Sequence, residues 1–199
     1  MFNDKYGLTD AVLKGRKTMT RRIIRNLSYF DPRQDWIHWS DNGKASLAIM
    51  HNETYKYSIY PQYQPGEVVA VAQQYRNLAW DSRLYKKIKL LCPGEMPWNV
   101  LKGWDNKMFV RADLMPHQIR ITDIKVERLQ DISDEDCLKE GMMKMFHGYC
   151  YEYNDRHGRS FKGFDRIRDA FADLIDGISG KGTWALNPFV FVYNFELVK

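Results

Sequence analysis

Asn187-Pro188-Phe189-Val190-Phe191-Val192-Tyr193-Asn194-Phe195-Glu196-Leu197-Val198 is the stretch that decides the fold. Phe189, Phe191, Tyr193 and Phe195 alternate with Val190 and Val192, so a strand over 187–198 carries apolar side chains on both faces. A strand of that kind needs cover on both sides and belongs in the middle of a sheet, not at its edge. β-branched density marks further strands at 18–24 and 119–129. A short buried strand at 68–71 follows the turn Gln64-Pro65-Gly66-Glu67. Within 119–129 the apolar phase switches from Ile119 and Ile121 to Ile124 and Val126, which a bulge near Asp123 explains.

Weaker strands are expected at 36–39, 45–50 and 108–112, with turns at Asp31-Pro32 and Asp41-Asn42-Gly43. A short helix over 10–14 has Thr9 as its cap and Gly15 as its stop. Ser133-Asp134-Glu135-Asp136 opens an acidic helix, with Asp136 at the capping-box position and Gly141 after its end. The clearest helix covers 161–175, where Phe164, Ile167, Phe171, Leu174 and Ile175 form one face. Residues 147–160 read as a polar, tyrosine-rich loop and 176–183 as a glycine-containing loop. Residues 76–106 read as a long irregular excursion, with a strand or helix turn near 85–91. Strands with helices set between them give an α+β class on a mixed or barrel-like sheet, in one domain of 199 residues.

A hydrophobic content of 44% with 28% charged residues is that of an ordinary soluble protein. Cys92, Cys137 and Cys150 form no CxxC pair, as expected in a reducing compartment. With no apolar run long enough for a leader or a membrane span, the expectation is a cytoplasmic protein without a membrane partner. No P-loop, dinucleotide-binding glycines or nucleophile elbow occurs, so no cofactor is expected. His147, Cys150, His157 and Cys137 match no common zinc-ligand spacing, and no metal is expected.

The net charge of +5 is concentrated, because Lys14, Arg16, Lys17, Arg21, Arg22 and Arg25 fall within twelve positions. Like charges repel, so such a cluster needs a reason: phosphate binding is one, and a solvated charge run on an exposed strand end is the other. Arg16, Arg21 and Arg25 are the expected phosphate contacts, while Lys17, Thr20 and Arg22 form a small polar site. Neighbouring arginines lower a lysine's pKa toward the range of a useful base, and a threonine needs such a base to become a nucleophile. Residues three apart in a strand point to opposite faces. Lys17 and Thr20 therefore converge only if Lys17 still lies in the turn after Gly15, or a bulge intervenes. Glu140 ends the acidic helix, where the helix's partial negative charge disfavours ionisation and suits a carboxyl to general acid–base work. Between 76 and 106, Trp80, Tyr85, Trp98 and Trp104 lie among Lys86, Lys87 and Lys89 and offer bases a stacking platform, together with Tyr75 and Arg76.

Gly15-Arg16-Lys17-Thr18-Met19-Thr20-Arg21-Arg22 resembles the G-x-K-x-x-T-x-R signature of ASCH domains, a PUA-like β-barrel family, in the form found in phage and prophage proteins. Pro65-Gly66-Glu67-Val68 resembles the family's turn into a barrel strand. The run from Ile132 to Gly141 is similar to its acidic helix, and the run from Trp184 to Phe195 to its closing strand. The resemblance implies a PUA-like barrel and binding of RNA or a modified nucleoside, with Arg16, Lys17, Arg21, Arg22 and Arg25 in contact. A subgroup of the family hydrolyses the amide of N4-acetylcytidine with a Lys, a Thr and a Glu, which match Lys17, Thr20 and Glu140. Three functions stand open at this point: nucleic-acid or nucleoside binding, amide hydrolysis on an acylated base, and a phage-derived interaction module with no pocket. The last requires Lys17 and Glu140 to lie far apart.

Overall fold

The computed structural model describes residues 2–25, 27, 34–40, 45–51, 53–79, 81–91 and 101–198. Its final strand, β10 (Phe189–Leu197), pairs antiparallel with β1 (Met19–Ile23) on one side and β6 (Gln118–Arg128) on the other. β5 (Val68–Ala70) closes the far edge, giving the order β1-β10-β6-β5. Both faces of β10 are covered, as its alternation requires. Val190 and Val192 pack with Met19, Leu129, Ile132, Phe171 and Leu174 on one face. Phe191, Tyr193 and Phe195 pack with Leu47, Ile49, Ile119 and Ile121 on the other.

Two layers supply that cover. On the Val190 side lie α4 (Asp134–Lys139), α5 (Ile167–Ser179) and a small antiparallel sheet of β7 (Met143–Lys144), β8 (Tyr149–Asp155) and β9 (Gly158–Phe164). On the Phe191 side lies the antiparallel meander β2 (Asp35–Ser40), β3 (Ser46–His51) and β4 (Thr54–Ile59). The molecule is α+β with an antiparallel central sheet. Among the described residues, no helix is long and apolar enough to cross a membrane.

The bulge lies where the phase change puts it. Asn194 pairs with Asp123 but Phe195 pairs with Ile121, so Thr122 is the extra residue. That insertion lets Ile119, Ile121 and Ile124 all reach the same cluster, despite the odd spacing between Ile121 and Ile124.

Other elements depart from the sequence reading. α1 spans Leu8–Leu13 and starts from Gly7, not Thr9. The Thr9 hydroxyl instead reaches back to Asp4 Oδ1. The loop expected at 147–160 is the β8–β9 hairpin, so α5 starts at Ile167 and Phe164 ends β9. α5 also runs on to Ser179, and the short α6 (Thr183–Leu186) precedes Asn187. The strand expected at 108–112 is replaced by two turns of 3-10 helix, Lys107–Phe109 and Ala112–Leu114. β5 is an edge strand with Val68 exposed, because among the described residues only β6 pairs with it. The excursion holds α2 (Tyr75–Leu78) and α3 (Ser82–Lys89). The turns at Asp31-Pro32 and Asp41-Asn42-Gly43, and Trp80, Cys92 and Trp98, lie outside the described residues.

Leu47, on β3, is fully buried under the central sheet, so Leu47→Ala is expected to cost about 2–5 kcal/mol. Val68→Thr at the exposed edge is expected to change stability by under about 0.5 kcal/mol. Urea denaturation measures both, and equal losses would contradict the assignment of β5 as an edge.

Candidate functional site

α1 ends at Leu13, and Gly15 takes a left-handed conformation (φ 69°) that turns the chain around the helix end. The amides of Arg16 and Lys17 both donate to the Ala11 carbonyl, at 2.9 and 3.0 Å. Lys17 therefore lies in the turn before β1, outside the strand's alternation. The Thr18 amide donates to the Lys139 carbonyl at 2.9 Å and ties this turn to the end of α4. That bond brings Glu140, the C-cap of α4, beside Lys17.

Lys17 Nζ donates to Glu140 Oε2 at 2.5 Å and to the Glu140 carbonyl at 2.8 Å. The other carboxylate oxygen, Oε1, accepts from Arg21 Nη1 at 3.1 Å. Arg21 also donates through Nη2 to Glu127 Oε1 at 2.6 Å and to Asp136 Oδ2 at 3.2 Å. Lys125 Nζ holds the second Glu127 oxygen at 2.8 Å. The side chains of Lys17, Glu140 and Arg21 are 2%, 6% and 1% exposed, so this is a buried ionic network. Charges taken out of water at this depth gain little net stability, yet removing one partner strands the others.

Burial is the main force on Lys17 and pushes its pKa below the ordinary 10.5. Glu140 opposes the shift, and the nearby charges of Arg22 and Arg21 add to it. Glu140 itself meets two cations, Lys17 and Arg21. Burial also lifts the Cys137 thiol to about 12, so this cysteine is no thiolate nucleophile.

Along β1, Met19 and Arg21 face the side of α4 and α5, while Thr20 and Arg22 sit opposite Tyr193 and Phe191. β1 is an edge strand, so a cleft running along it can be lined from both of its faces. The cleft measures about 520 Å³. Lys17, Thr20, Arg21, Arg22, Arg25 and Glu140 all line it. Phe171 and Leu174 from α5 form an apolar wall, and Tyr193 and Gln62 meet at the β10 side, where the Gln62 amide donates to the Tyr193 hydroxyl at 3.0 Å.

The basic cluster thus divides differently from the sequence reading. Arg25 is exposed at the cleft, whereas Arg21 is buried among Glu127, Glu140 and Asp136 and holds the site together from behind. Arg16 lies outside the cleft, against Asp10 and the Met143 sulfur. Lys14 pairs with the same Asp10 at 2.9 Å. Asp136 does receive the cap, since its amide donates to Ser133 Oγ at 3.1 Å, but its carboxylate is turned to Arg21. Glu127 and Gln62 had no signal in the sequence that linked them to this place. The stacking platform is not formed by Tyr75, which is 1% exposed and packs with Leu78, Ile88 and Leu114, with Trp104 against that cluster. Comparison with family models, curated proteins and solved structures gave no match.

Glu140→Gln strands the Lys17 and Arg21 charges and is expected to cost about 3–5 kcal/mol in urea denaturation. Arg16→Gln, outside the network, is expected to change stability by under about 0.5 kcal/mol. Because the folded Lys17 has a pKa below the unfolded 10.5, the unfolded chain binds more protons between those two values. The stability contribution of Lys17 therefore rises with pH across that window. Lys17→Met is expected to flatten the rise, measured as urea midpoints as the pH is raised toward 10.5.

Proposed function

We propose that the cleft binds a nucleoside whose exocyclic amine is acylated, and hydrolyses that amide, within an ASCH-like domain of PUA-like fold. The observation that carries this reading is the buried Lys17–Glu140 pair, 2.5 Å apart, in a cleft that Thr20 also lines. A volume of about 520 Å³ suits a nucleoside-sized ligand. The antiparallel sheet, with its closing strand β10 next to β1, supports the PUA-like reading.

Lys17, held below the usual lysine range by burial, accepts the Thr20 hydroxyl proton as the oxygen attacks the amide carbon. The carbon–nitrogen bond breaks, and the departing amine takes that proton. Water then splits the threonyl ester, releasing the carboxylic acid and restoring Thr20, so amide plus water give amine plus acid. Glu140 holds the Lys17 ammonium between steps and returns it to position. Arg22 stabilises the negative charge that develops on the carbonyl oxygen.

Extended RNA is favoured less than a nucleoside. Of the clustered cations, Lys14 and Arg16 are engaged by Asp10, and Arg21 by three carboxylates. Arg25, exposed at the cleft, is placed to meet a phosphate or a sugar, and Arg22 lines the same space. An interaction module without a pocket would keep Lys17 and Glu140 apart, against the contact described here.

Incubation with N4-acetylcytidine is expected to release cytidine, read by chromatography. Lys17→Ala is expected to lower kcat/KM by about 10²–10⁴-fold. Arg25→Ala is expected to raise KM with little change in kcat. No cytidine release at high wild-type enzyme concentration would overturn this substrate.

A further inference from the structure

Thr20 and Arg22 border a second cavity. It measures about 80 Å³ and shares Phe2, Thr20, Arg22 and Tyr193 with the larger cleft. Beyond that shared wall its character changes. Val69, Ala70, Ala72, Ile119, Ile121 and Phe195 line it with side chains that carry no polar atom, and Tyr63 adds a ring and one hydroxyl.

We infer that this small cavity is a binding subsite for the acyl group of the substrate, selective for short unbranched aliphatic chains. The inference rests on the hydrolysis proposed above and adds the part of the substrate that reading leaves unspecified.

An amide carbonyl has two substituents with opposite needs. The amine side, a nucleoside, needs polar partners; the acyl side needs a dry, apolar surface. Thr20 stands where two spaces of that character meet. The cleft brings Lys17, Glu140, Arg25 and Gln62 opposite its apolar α5 wall, while the cavity beyond the shared residues is aliphatic and aromatic, with the Tyr63 hydroxyl as its one polar side-chain group. The register explains the arrangement. Thr20 pairs with Tyr193, so its side chain leaves β1 on the face of Phe191, Tyr193 and Phe195, and that face leads to Ile119 and Ile121. The Thr122 bulge allows Ile121 and Ile124 to lie together on that side.

Size sets the selectivity. A cavity of about 150 Å³ is what a benzene ring occupies in a protein interior. A space near 80 Å³ admits acetyl or propionyl and rejects benzoyl. Ala72 helps set that limit because a larger residue there would enter the cavity, whereas Ile119 sets it from the β6 side.

The test is the kcat/KM of the full-length protein for N4-acetyl-, propionyl-, butyryl- and benzoylcytidine, in the wild type, Ala72→Leu and Ile119→Val. The wild type is expected to gain up to about fourfold from acetyl to propionyl, as for one buried methylene. It is expected to fall by tenfold or more at benzoyl. Ala72→Leu is expected to lower the propionyl-to-acetyl ratio by about tenfold, and Ile119→Val to raise the butyryl-to-acetyl ratio. Ratios identical in all three proteins, with hydrolysis intact, would overturn the subsite and leave the proposed reaction standing. If the wild type hydrolyses none of the four, the proposed reaction falls and the cavity is tested alone. Methyl NMR is then expected to show Ala72 and Ile119 shifting with propionamide but not with benzamide. Unshifted methyls would overturn the subsite as well.

Discussion

The Glu140 carboxylate lies between two cations that come from one short segment of chain, Lys17 at 2.5 Å and Arg21 at 3.1 Å. Much of the local architecture serves that contact. The turn at Gly15 frees Lys17 from the strand, and the Thr18–Lys139 backbone bond docks the turn on the end of α4. Gly141, at φ 106°, leads the chain away from α4, with the position of its missing Cβ 3.7 Å from the Lys17 Cβ. Glu127 and Asp136 then fix the far side of the Arg21 guanidinium. Buried ion pairs are poor sources of net stability, so a network this deep is better explained by what it holds in place than by stability.

It holds a lysine with little exposure on the wall of an open cleft. Burial makes such an ammonium easier to deprotonate, and its carboxylate partner keeps it oriented. Thr20 lines the same cleft from the adjacent strand and also borders the smaller, mainly apolar cavity. The chemistry we propose for this arrangement is acyl transfer from an amide, with the nucleoside in the cleft and the acyl group in the smaller cavity.

The parts of the fold that the sequence made legible were those governed by a single strong pattern. β10 could only be a central strand, because Val190 and Val192 on one face and Phe191 and Tyr193 on the other all need cover. The phase change between Ile121 and Ile124 marked the bulge. The β8–β9 hairpin was obscured by polar residues: Tyr149, Tyr151 and Tyr153 do alternate with Cys150, Glu152 and Asn154, but the partner strand Gly158–Phe164 carries Arg159, Ser160 and Lys162 and shows little apolar pattern. Its Arg156-His157 turn ends at Gly158, whose φ of 108° favours glycine. In the site, Lys17, Thr20 and Glu140 were legible from motif and helix end. The role of Arg21 was not, because its partners Glu127 and Asp136 lie 106 and 115 residues away and only the fold brings them close. Charge density alone counted Arg21 as a surface cation, whereas the alternation of β1 turns it inward.

The proposed hydrolysis requires Thr20 and Lys17 to act together on an acyl group. The most direct measurement is a rapid acid quench of the protein mixed with N4-acetylcytidine, followed by peptide mass spectrometry. One acetyl group is expected on the peptide containing Thr20, formed in step with the first equivalent of cytidine. Cytidine released at the wild-type rate by Thr20→Ala, with no acetyl group on any peptide, would contradict this mechanism.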